Sequence, residues 1–147
     1  METEKTTSIN ALIEINNDRY EGYKTAAEET KDTDLKTLFT GFSEQSRGFA
    51  NDLKKYVSPD EVKTGETTNS GKLFRVWMDI KATLTGKDRK AILSSCEFGE
   101  DAAKKTYDEI LRKREDLPGG AIATIQGQRT EIQKGHDTIK SMRDSLK

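Results

Sequence analysis

The sequence predicts an all-α fold: a four-helix bundle forming a single domain over residues 1–147. Three observations carry that expectation. Apolar residues recur at alternating spacings of three and four along four long stretches, which keeps one face of each helix turned toward a partner. Segments with turn chemistry separate those stretches, at KDTD (31–34), SPDEVKTGETTNSG (58–71) and LPGG (117–120). Finally, 32% of residues are hydrophobic and 35% charged, a balance that two-faced helices tolerate because their outer surfaces stay polar.

The first helix is expected from Ser8 to Thr30, with Ser8 as N-cap and an inward stripe of Ile9, Ile13, Asn16, Tyr20, Tyr23 and Ala27. Lys31 to Asp34 form a tight turn, and Asp34 is the expected cap of the second helix. That helix carries Leu35, Phe39, Phe42, Ser46, Phe49, Leu53 and Tyr56 on one face. So short a turn pairs the first two helices as an antiparallel hairpin. Residues 58–71 read as a surface connection, followed by a shorter amphipathic helix through Leu73, Val76, Trp77, Ile80 and Leu84 that Gly86 ends. Asp88 is the expected cap of the third long helix, whose stripe is Leu93, Cys96, Glu100, Ala103, Tyr107 and Ile110. After the break at LPGG, the fourth helix presents Ile122, Ile125, Arg129, Ile132, His136 and Ile139. The expectation is therefore two antiparallel hairpins, with a short extra helix in the long crossover between helices 2 and 3.

Charge and composition narrow the function classes. Acidic and basic residues nearly cancel, 26 against 25, and no basic patch points to nucleic acid. No apolar run reaches bilayer-spanning length, and the opening METEKTTSIN lacks the apolar core of a secretory signal. The single cysteine, Cys96, has no internal disulfide partner, so a reducing cytoplasm is the expected compartment. Phosphate loops, HExxH, CxxC pairs and nucleophile elbows are all absent from the sequence.

One chemical pattern stands out. Glu100 is followed 33 residues later by Gln133, with the only histidine, His136, one turn beyond. The same frame 87 residues earlier falls on Ile13, Ser46 and Phe49. A carboxylate followed much later by Glu-x-x-His, twice per chain, is how a four-helix bundle assembles a two-metal site from four carboxylates and two histidines. This chain offers one carboxylate (Glu100), one amide (Gln133) and one imidazole (His136), while Ile13, Ser46 and Phe49 read as lost ligands. The expected site is thus degenerate, with Glu100, Gln133 and His136 as the candidate metal ligands. The blander expectation for His136 is a core histidine hydrogen-bonded to Glu100. Glu44-x-x-Arg47 mimics the lost motif but falls off the stripe and is expected on the wet face.

These residues carry a resemblance. The frame Ile13, Tyr20, Ser46, Phe49 and its repeat Glu100, Tyr107, Gln133, His136 resemble the ferritin-like superfamily. The segments LIEINNDRYEGYKTAAEET, WMDIKATLTGKDRKAIL, CEFGEDAAKKTY and GHDTIKSMRD are similar to an uncharacterised bacterial family of small ferritin-like four-helix-bundle proteins, a domain of unknown function. The resemblance covers most of the chain and implies a ferritin-like fold without a defined activity. Active members of the superfamily oxidise or store iron, or reduce peroxide, at a di-iron centre. Departures at Ile13, Ser46, Phe49 and Gln133 set this chain apart from them.

The remaining candidates read as structure. Tyr20, Tyr23 and Tyr107 are expected to pack in the core with their hydroxyls on polar partners, and Phe74 and Trp77 to lid the bundle. Cys96 is expected to be an inert buried thiol. The functional expectation is a non-enzymatic ferritin-like bundle, without cofactor, acting by self-association or through a protein partner, with a stress setting in view. The alternative is a metal-binding or oxidoreductase protein holding iron or manganese at Glu100, Gln133 and His136.

Overall fold

The computed structural model describes residues 4–57, 89–113, 115 and 117–146. Four long helices account for the regular structure there, with no strand among the described residues. They are α1 (Glu4–Glu29), α2 (Thr33–Leu53), α3 (Arg89–Arg112) and α4 (Ala121–Asp144), and a 3-10 turn at Lys54–Tyr56 follows α2. The protein is therefore an all-α helical bundle. The expected crossover helix around Trp77, its Gly86 stop and the Asp88 cap lie outside the described residues.

α1 begins earlier than expected. Ser8 sits inside the helix rather than capping it, because nothing in Glu4 to Thr7 interrupts helical geometry. Between α1 and α2, Asp32 takes the N-cap position in extended backbone conformation, and Asp34 lies in the first turn of α2. The anticipated cap at Asp34 instead pairs with Arg89 at the start of α3, at 2.6 Å, and Arg89 also reaches Asp32 at 3.0 Å. Gly120, at φ 87, directs the chain into α4, a left-handed conformation that suits glycine because it has no Cβ to clash.

α1 packs on α2, and α3 on α4. Tyr23 meets Phe39 with ring centroids 5.5 Å apart, and the Ser43 hydroxyl donates to the Tyr20 carbonyl at 3.0 Å. Residue numbers thus fall along α2 as they rise along α1. In the other pair, Tyr107 meets Gln128 and Asp108 meets Arg129. The core holds Ile9, Leu12, Ile13, Tyr23, Leu35, Phe39, Leu53, Leu93, Ile125 and Ile132, all with no solvent exposure. Burying each such side chain contributes about 1.5–3 kcal/mol.

Three stripes differ from expectation. On α1, Arg19 is fully buried while Tyr20 lies at the flank. On α4 the buried positions are Ala121, Ile125, Gln128, Ile132, Gly135 and Ile139, so Ile122, Arg129 and His136 sit beside the inward face. On α2 the buried positions are Leu35, Phe39, Ser43, Ser46, Ala50 and Leu53, so Phe42 and Phe49 sit half-buried beside the inward face and pack against the core. Glu44 and Arg47 form an exposed pair at 3.6 Å, on the wet face as expected.

Candidate functional site

The interior of the bundle carries a polar layer built from all four helices. Its centre is Arg19, whose helical position turns the side chain inward between Asn16 and Tyr23. The guanidinium donates two hydrogen bonds to Glu100, from Nε to Oε1 at 2.7 Å and from Nη2 to Oε2 at 3.0 Å. Both side chains are completely buried. Nη1 donates to Ser46 Oγ at 2.8 Å, to Gln45 Oε1 at 2.9 Å and, more weakly, to the Phe42 carbonyl at 3.4 Å. The rings of Tyr23 and Phe42 lie 5.3 and 5.2 Å from the guanidinium carbon, adding cation–π contact. Burial works against the charge on Arg19, but the neighbouring Glu100, by charge and hydrogen bonding, helps hold its pKa above the ordinary value.

Gly135 makes room for this arrangement. A Cβ there would lie 3.0 Å from Glu100 Oε2 and 3.2 Å from the Phe42 ring. A larger residue at this inward position of α4 would press on the carboxylate.

A second strand of the layer starts at Asn16, which donates to the Tyr107 hydroxyl at 2.7 Å. That hydroxyl donates to Gln128 Oε1 at 2.8 Å, and Gln128 Nε2 donates to the Phe49 carbonyl at 3.2 Å. One chain of hydrogen bonds thereby visits α1, α3, α4 and α2 in turn. Burial raises the Tyr107 pKa, so its hydroxyl stays protonated and can serve as both donor and acceptor. Cys96, one turn before Glu100, is fully buried, and burial together with the Glu100 charge pushes its thiol far above the range of a reactive cysteine.

The three candidate metal ligands are not brought together. Glu100 faces Arg19, not His136. The His136 ring lies in the seam between α3 and α4, with Nε2 at 2.9 Å from Asp101 and 3.8 Å from Glu97, and Nδ1 at 3.1 Å from Asp137. Glu97 is also paired with Arg143. Gln133 hydrogen-bonds Asp137 at 2.9 Å on the surface. The physical reason is rotation. Gln128 and Gly135 occupy the inward positions of α4, and each residue step turns about 100° around the helix. His136, one step past Gly135, therefore leaves the core face.

Ile13 is fully buried and fills space between the helices, and Ser46, the other inward frame position, accepts from Arg19. These residues do not fit a bound metal: both Glu100 oxygens are engaged, and a guanidinium already supplies the positive charge. Among the described residues, no group of three or more His, Cys, Asp or Glu side chains is arranged to hold a metal ion. Arg19 is the residue that sequence reasoning missed. The available signal was an arginine four residues before the inward Tyr23 on α1, matched by an inward glutamate on α3.

No helix among the described residues is long and apolar enough to cross a membrane. Comparison with curated proteins gives no match. The family model described as domain of unknown function DUF2383 matches residues 4–113, which span α1, α2 and α3 and stop before α4. That match covers well over half of the sequence, and the chain belongs to the DUF2383 family of domains of unknown function.

Proposed function

We propose that this chain is a ferritin-like bundle of two antiparallel hairpins in which a tethered guanidinium has replaced the inner metal site. It is a non-enzymatic protein of the bacterial cytoplasm that acts by self-association or by binding a protein partner. The observation that carries this reading is the placement of Arg19. Its guanidinium lies between Glu100 and Ser46, two positions of the two-metal frame, and supplies in covalent form the positive charge that metals would bring. A cation fixed to the backbone cannot be exchanged, reduced or loaded with oxygen. With the interior occupied in this way, the helix surfaces remain as the means of action.

Elemental analysis of protein purified without a metal-binding tag tests the proposal. Iron and manganese should stay at background in the wild type and in His136→Gln. Near-stoichiometric metal in the wild type, lost in His136→Gln, would overturn it in favour of the oxidoreductase alternative. Sedimentation over a range of concentrations reads the association arm, where a rise in mass with concentration supports contact between copies.

A further inference from the structure

We propose that the buried polar layer is a docking key: it selects the one register in which the α1–α2 pair meets the α3–α4 pair. The argument starts from the stripes themselves. Apolar positions alternate at three and four residues on every helix, so sliding one pair past the other by a seven-residue repeat brings an equivalent stripe back into place. That slide is about 10 Å at the rise of an α-helix. Moving α3 by seven residues would set Leu93 or Tyr107 where Glu100 stands, and moving α4 would set Ala121 or Gly135 where Gln128 stands. Apolar burial distinguishes such alternatives poorly. The short connection within each pair fixes its own register, but residues 58–88 separate the pairs in sequence, and a connection of that length does not by itself dictate which turns meet.

Polar groups break the degeneracy because they are intolerant of the wrong partner. Polar contacts cross between the pairs inside the bundle and along its side, and the Arg89 pairing with Asp32 and Asp34 adds one at the α1–α2 turn. Arg19 joins α1 to α3, Asn16 meets Tyr107, Gln128 reaches the Phe49 carbonyl, and Tyr56 meets Thr124 at 2.8 Å. In a shifted register Glu100 and Arg19 would each be buried without the other, a heavy desolvation penalty. The layer has the marks of specificity rather than of added stability. A buried ion pair gains little over apolar packing, and Asn16 Oδ1 is buried with no hydrogen-bond partner among the described residues, a cost that an apolar residue would not carry. Gly135 adds to this across the pairs, since its missing Cβ leaves room for the Phe42 ring of α2, which a Cβ there would meet at 3.2 Å.

The test replaces both charges in the full chain, Arg19→Met with Glu100→Met, since methionine adapts to the volume left behind. Thermal unfolding and amide ¹H–¹⁵N correlation spectra are compared with wild type. Leu93→Ala serves as a cavity control that leaves the layer intact, and Ile132→Val replaces it should that variant not fold. The expected result is a helical double variant whose midpoint equals or exceeds that of wild type. Core amides such as Cys96 and Ile132 should go from one set of cross-peaks to two or more, while the control keeps one. Three results would each overturn the proposal. These are a single set in the double variant, loss of cooperative folding in the double variant, and multiplied sets in the control.

Discussion

Removing only one member of the buried pair gives the most direct test of the interior. Arg19→Met keeps an unbranched apolar stem but deletes a guanidinium that makes two bonds to Glu100 and further bonds to Ser46 and Gln45. Glu100, with no exposure to solvent, would be left without its counter-charge. Breaking a buried pair in this way costs about 3–5 kcal/mol, because the surviving charge carries its full desolvation penalty. A domain of this size is stable by roughly 5–15 kcal/mol, so the loss is a large fraction of the total. At roughly 3–4 °C per kcal/mol for a chain of this length, the melting midpoint should fall by about 10–20 °C. Circular dichroism at 222 nm during heating at pH 7 measures it directly, with chemical denaturation as a cross-check on the free energy. A drop of less than about 1 kcal/mol would refute the reasoning, since surface ion pairs are worth no more than that.

Gly135→Ala should lower the unfolding midpoint even though alanine is favoured over glycine by about 1 kcal/mol in a helix interior, because the new methyl meets Glu100 and Phe42. A raised midpoint would show that the carboxylate yields freely. Cys96 should resist a thiol reagent at pH 8 in the native protein and react once urea unfolds the chain, because burial and Glu100 push its thiol up. Prompt native-state labelling would contradict its burial. The Arg89 hydrogen bond holds the Asp34 carboxyl below its ordinary pKa, so this pair contributes stability above the unfolded value near pH ~4 and loses it as pH falls through the folded value. Asp34→Asn should therefore be less stable than wild type at pH 7, with the gap closing in acid; a gap that persists there would point to a cause other than charge.

Expectation and structure part where two adjacent residues both fit the helical period. On α4 the isoleucines 125, 132 and 139 are common to both possible stripes, and the choice between them turns on Gln128 against Arg129 and Gly135 against His136. Reading the histidine inward is natural for a metal frame. The structure puts the glycine inward because Glu100 and Phe42 need the space. On α1 the same ambiguity sets Arg19 against Tyr20. An arginine is assigned to solvent by default, since unpaired burial of a charge is prohibitive. Only the position of Glu100 on a different helix makes Arg19 acceptable in the core.

The sequence by itself determined the all-α class, the long helices with their turns, and most of the inward faces of α2 and α3. Those features follow from local rules: hydrophobic period, turn residues and the conformational limits of the backbone. The partners of the buried polar groups were decided only by the tertiary structure. Which carboxylate answers Arg19, and whether His136 or Gly135 faces the centre, depends on rotations of about 100° per residue and on side chains eighty or more positions apart. Complementary charges and fitting volumes meet only once the helices are packed, and no local pattern encodes that meeting.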